Sequence, residues 1–235
     1  MALRLVLAAA AVAAALLGLT GCGYLSAGPT ATEDRPVPRG LSEVVLAGTG
    51  SLTMAPGDPA LTITAGENAL DRITSAERSG ALHLDVSGGF WNSPGPIDYQ
   101  LSLPELDAVT IDGAGDVTAR AVPTESLTVR VSGAGDVLIT DVDAQQVTVQ
   151  IDGTGSVQLR GEADQVDVHI EGAGEFHGDQ LTTRTAVAGI DGAGDITVHA
   201  TDTLDASITG AGTIRHTGDA EVTENIDGLG EVVRG

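Results

Sequence analysis

Ile111-Asp112-Gly113-Ala114-Gly115-Asp116-Val117 is a phrase that this chain writes seven times. Its counterparts occupy 131–137, 151–157, 170–176, 190–196, 208–214 and 226–232. The leading apolar residues, Ile111, Val131, Ile151, Ile170, Ile190, Ile208 and Ile226, are 20, 20, 19, 20, 18 and 18 positions apart. A near-constant period of about 20 residues is the mark of stacked repeats rather than of a closed globule.

Around each glycine pair the chain alternates. Leu127-Thr128-Val129-Arg130-Val131 and Val147-Thr148-Val149-Gln150-Ile151 place apolar residues at every second position, the period of a half-buried strand. The alternation resumes after the pair, as in Val137-Leu138-Ile139. Each unit therefore reads as two short strands joined at a Gly-x-Gly corner, where glycine's tolerance of positive φ permits a sharp turn. Two strands cannot bury an apolar face alone. Stacking successive coils at about 4.8 Å aligns like residues into columns and builds a continuous core. The expected fold is all-β: a parallel β-helix, or β-solenoid, with coils of about 20 residues, right-handed as parallel crossovers nearly always are.

Composition agrees. Apolar residues make up 42% of the 235 residues but aromatics only 2%, which suits a thin aliphatic core. The formal charge is −22, and all eleven basic residues are arginine. With no basic stripe to follow a phosphate backbone, nucleic acid is excluded as a partner.

Residues 1–21 read as a lipoprotein signal peptide, with Arg4 before an uncharged Ala/Leu-rich run too short for a membrane span. The run ends in Leu19-Thr20-Gly21-Cys22, similar to the lipobox after which a cysteine becomes lipidated and N-terminal. Cys22 is the only cysteine, so no disulfide framework competes for it. Loss of Arg4 with the signal peptide takes the charge from −22 to −23. Residues 22–40, carrying Pro29, Pro36 and Pro38, read as the lipidated cysteine and a disordered tether. Residues 41–235 read as one solenoid domain, with regular glycine repeats over 106–235. Within it Gly48-Thr49-Gly50 is a diverged corner, 61–64 and 81–86 are strands, and 67–78 reads as a short helix or an irregular coil, with the coil favoured.

Leu101-Ser102-Leu103-Pro104-Glu105-Leu106, followed by Val109-Thr110-Ile111-Asp112-Gly113-Ala114-Gly115-Asp116-Val117, resembles the signature of the head GIN domain family, the putative autotransporter adhesin heads. Met54-Ala55-Pro56-Gly57-Asp58 and Gly80-Ala81-Leu82-His83-Leu84 are similar to its N-terminal half. The resemblance spans roughly residues 41–235. It implies a single-stranded right-handed β-helix and an adhesin-like role, and it brings no catalytic residues with it.

Two acidic ladders are the first candidates for chemistry. One column holds Asp112, Ser132, Asp152, Glu171, Asp191, Thr209 and Asp227; the other holds Asp116, Asp136, Ser156, Glu175, Asp195, Thr213 and Glu231. Calcium could bridge carboxylates such as Asp112, Asp116, Asp136, Asp152, Asp191 and Asp195. The interspersed Ser and Thr favour the other reading, in which these side chains cap turn amides. His83, His169, His177, His199 and His216 fall at unrelated offsets and read as solvated strand residues, so no metal or other cofactor is expected. Phe90 and Trp91, on a Gly/Pro-rich stretch, either stack on a ligand or cap the solenoid. The rungs are too uniform to mark one catalytic site, and no lysine is present to abstract a proton, so an enzyme is not expected.

These readings place the protein on the extracytoplasmic face of the cell membrane, anchored through lipid on Cys22. There it would serve as a non-enzymatic surface or interaction module, its partner a cell-surface protein or glycan. The alternative is a carbohydrate-binding or carbohydrate-active β-helix.

Overall fold

The computed structural model describes residues 28–87, 95–121 and 124–235, and nearly all of the regular structure there is strand. The chain runs β1 (Thr30–Arg35), β2 (Glu43–Leu46), β3 (Thr49–Pro56), β4 (Ala60–Gly66), the single-turn helix α1 (Glu67–Leu70), β5 (Ile73–Arg78), β6 (Ala81–Val86) and β7 (Asp98–Leu103). The repeats then supply β8 (Ala108–Ile111), β9 (Ala114–Arg120), β10 (Thr124–Val131), β11 (Asp136–Ile151), β12 (Ser156–Ile170), β13 (Glu175–Ile190), β14 (Asp195–Ile208), β15 (Thr213–Thr217), β16 (Glu221–Ile226) and β17 (Glu231–Arg234).

Among β8 to β17 every pairing is parallel and joins residues one coil apart, giving a parallel β-solenoid of about six turns. Ile111, Val131, Ile151, Ile170, Ile190 and Ile208 are each at most 1% exposed and stack as one column. Val117, Val137, Val157, Phe176, Ile196 and Ile214 form the next, equally buried. Each such side chain contributes about 1.5–3 kcal/mol by leaving water, so the stack itself is the core.

The glycine corners owe their glycines to a different cause than turning. None of the fourteen repeat glycines has positive φ. Instead the coils approach so closely that a Cβ on Gly133, Gly153 or Gly210 would sit within 3.0 Å of the carbonyl oxygen of the corner glycine one coil below. That carbonyl is engaged: Gly113 O accepts from Ala134 N–H at 3.1 Å, and Gly133 O accepts from Thr154 N–H at 3.1 Å. A side chain here would break the inter-coil ladder, so the ladder excludes everything but glycine.

Positive φ lies at the opposite corner, at Asp141, Gly161 and Gly218. The same corner absorbs changes in period. Ile139 pairs with Leu159, 20 residues on, whereas Val142 pairs with Gly161, only 19 on. The Gly-x-Gly side thus keeps register while the far side takes up insertions and deletions as bulges.

Three expectations are corrected in the N-terminal part. Residues 30–35, expected as tether, form β1, antiparallel to β4. The strand has no apolar alternation to betray it. It is held by main-chain pairing and by polar contacts: Thr32 Oγ1 to Thr64 Oγ1 at 3.0 Å and Thr62 Oγ1 donating to Asp34 at 2.7 Å. The stretch 67–78, expected as coil, contains α1 and β5, and β5 pairs antiparallel with β6. Coils also do not stack in chain order throughout. The coil of β2 and β3 lies between β6–β7 and β8–β9, with Val44 opposite both Leu82 and Val109, and Leu52 opposite both Tyr99 and Val117. Gly50 accordingly pairs with Gly115, as a diverged corner should.

The N-terminal end of the stack is covered by β1, β4, β5 and α1. Arg35, from β1, ties them together by donating to Leu70 O at 2.9 Å and Ile73 O at 2.6 Å. Beneath this cover Tyr99 is fully buried and, among the described residues, its hydroxyl has no hydrogen-bond partner. Burial, tempered by Arg35 and reinforced by Asp85, pushes its pKa up to about 12.

Candidate functional site

The ladder after the second corner glycine is wired between coils. Asp116 Oδ1 accepts from Asp136 N–H at 3.2 Å, Asp136 Oδ1 accepts from Ser156 N–H at 3.2 Å and from Ser156 Oγ at 2.7 Å, and Asp195 Oδ1 accepts from Thr213 N–H at 3.0 Å. Each carboxylate therefore caps the first strand amide of the next coil. In the ladder after the leading apolar residue, Arg130 lies 3.2 Å from Asp152, and His169 lies 3.2 Å from Asp191 and 3.7 Å from Glu171. His169 is not legible in sequence as a partner of Asp191, because Asp191 comes from the neighbouring coil. Among the described residues no three His, Cys, Asp or Glu side chains gather into a group able to hold a metal ion.

His216 departs from the expectation of a solvated histidine. It is 7% exposed, sits in register with Val198, and its Nδ1 has no partner among the described residues. Cys22, Phe90 and Trp91 lie outside the described residues.

The stack carries one further feature that sequence did not show, a groove of about 590 Å³ on the side away from the Gly-x-Gly corner. Its floor is the column Thr124, Ala144, Ala163 and Thr183, in register over four coils and thus about 14 Å long at strand spacing. Small residues in this column make the concavity. Asp143, Glu162 and Thr182 form one rim, and Glu125, Gln145, Asp164 and Arg184 the other. Asp164 and Arg184 pair at 3.1 Å, both well exposed. The walls offer carboxylates, an amide and a guanidinium pointing into water, a set suited to hydrogen-bonding an extended polar ligand. A regular small-small column among repeats is the signal by which the groove could have been found.

The family model described as "Putative auto-transporter adhesin, head GIN domain" matches residues 40–220. The chain belongs to the head GIN domain family. Among solved structures, this head GIN chain is similar to a putative adhesin from Bacteroides fragilis, at 24% identity and a TM-score of 0.85, covering 89% of this chain and 99% of that one. It is also similar to a putative lipid binding protein from Parabacteroides distasonis, at 21% identity and TM-score 0.72, covering 88% and 97%. A putative adhesin from Parabacteroides merdae follows at 19% and 0.65, covering 88% and 97%. At these identities the likeness shows a shared fold. No curated protein is significantly similar in sequence.

The head GIN family and these neighbours are described as adhesins or binding proteins, not as enzymes.

Proposed function

We propose that this head GIN protein is a lipid-anchored, adhesion-like module of the cell envelope that uses its solenoid as a rigid, non-enzymatic binding surface. The observation that carries the reading is the groove over four coils, floored by Ala144 and Ala163 and walled by exposed polar groups. Attachment through Cys22 would hold the stack at the outer face of the membrane, where a surface protein or glycan is the available partner. The family's description as an adhesin head supports the same location.

A carbohydrate ligand is the second reading, favoured by the planar hydrogen-bonding rims formed by Gln145, Asp164 and Arg184. One experiment tests both. The full-length protein and an Ala144→Trp/Ala163→Trp variant, which fills the groove, are compared for binding to immobilised cell-surface extract before and after periodate oxidation of its glycans. Binding lost in the variant supports the groove as the contact surface. Binding also lost after periodate assigns the ligand to carbohydrate. Undiminished binding by the filled variant would remove the groove from the argument.

A further inference from the structure

The coil of β16 and β17 is the outermost of the stack among the described residues. β16 pairs with β14 and β17 with β15, leaving the far edge of both strands without a partner strand. Apolar surface accompanies the free edge. Ile226, next in the column after Ile208, is 41% exposed, and Leu229 at the last glycine corner is 92% exposed. An unpaired strand edge with apolar neighbours is a template for adding another strand.

Charge at core register interrupts that template. The column Val129, Val149, Val168, Ala188 and Ala206 is buried throughout, and its next rung is Glu224. A second column passes from Val198 through His216 to Arg234. Arg234 is held across the end by donating to Gly218 O and to Asp219, both at 3.0 Å. Positions that are aliphatic in the inner coils thus become ionic in the last.

We propose that Glu224 and Arg234 keep a second copy of this chain from adding its own end coil to β16 and β17. A contact between two such ends would bury Glu224 against an apolar column and set two acidic end coils face to face. Burial of an unpaired carboxylate is strongly unfavourable, and Glu221, Asp227 and Glu231 on the same coil add like-charge repulsion. The two core-register charges thereby offset the attraction of the exposed Ile226 and Leu229.

The test is the mass of the purified full-length protein in detergent, measured by light scattering over a wide concentration range. Glu224→Ala restores the residue type of Ala206 one coil below, and Arg234→Val that of Val198 two coils below, beyond His216. The double variant is expected to show a concentration-dependent doubling of protein mass that wild type lacks, and adding Ile226→Lys should reverse it. A Glu224→Gln/Arg234→Gln variant, which keeps side-chain size and polarity, separates charge from packing and should associate more than wild type. Wild-type mass in both variants at every concentration, with the β-sheet circular dichroism intact, would overturn the proposal. So would association of the wild type that Ile226→Lys abolishes, or loss of the β-sheet signal in both variants, which would make the charges a folding requirement instead.

Discussion

Asp116 and Asp136, equivalent residues one coil apart, are joined by a hydrogen bond from the Asp136 amide to the Asp116 carboxylate at 3.2 Å. Two carboxylates at coil spacing repel by about 1 kcal/mol in water, yet each also satisfies an amide of the next coil. The ladder is thus a compromise between capping and repulsion, and the balance can be measured.

Replacing Asp112, Asp116 and Asp136 with Asn keeps an acceptor oxygen and removes three charges. The variant is expected to melt at or above the wild-type temperature in low salt, with the difference shrinking as salt screens the wild type. Calcium at millimolar concentration should raise the wild-type melting temperature no more than magnesium does. A calcium-specific rise that the triple variant abolishes would instead establish a structural ion, since binding only the native state stabilises it by mass action.

Gly153→Ala probes the inter-coil contact. The backbone at Gly153 has no positive φ, so a helical-type or strand-type residue would be acceptable by dihedral alone. The new Cβ, however, would collide with Gly133 O, which accepts from Thr154. The expected cost in urea unfolding is more than about 2 kcal/mol, in the range of overpacking and broken backbone pairing. A loss under about 0.5 kcal/mol would show that the coils can separate at little cost.

Tyr99 ties stability to alkaline pH. Its folded pKa is raised to about 12, above the ordinary tyrosine value of about 10, so the folded state holds the phenolic proton more tightly than the unfolded one. The associated stability is complete below pH 10 and is lost as pH rises through about 12. Absorbance at 295 nm should therefore show Tyr99 ionising only well above pH 10, near about 12 or together with unfolding, a step that Tyr99→Phe removes. Tyr99→Phe removes a buried hydroxyl that has no partner and is expected to leave stability unchanged or improved. A single step near pH 10 with the fold intact would contradict the burial.

The proposed membrane attachment would run through Cys22. Cys22→Ser is expected to move the protein from the detergent phase to the aqueous phase on partitioning, with unchanged circular dichroism. Identical partitioning of variant and wild type would remove the lipid anchor from the proposed function.

The repeat phrase alone determined the parallel stack, its period and both apolar columns, because core side chains in a solenoid meet their own counterparts one coil away. Ile111 finds Val131 by counting, with no knowledge of the rest of the chain. The Asp116 and Asp136 column was legible for the same reason. Only the tertiary structure decided what the period does not encode. The corner glycines look the same in sequence whether they serve a turn or a close approach, and only the position of Gly133 O under Gly153 tells the two apart. The strand at Thr30–Arg35 is held by the backbone edge of β4 and by Thr–Thr and Thr–Asp contacts, which leave no hydrophobic pattern. The placement of β2 and β3 between β6–β7 and β8–β9 depends on pairings between distant parts of the chain, and sequence order carries no record of them. The groove and the ionic end coil arise likewise, when Ala144 meets Ala163 and Glu224 falls on the Ala206 column through the register of neighbouring coils.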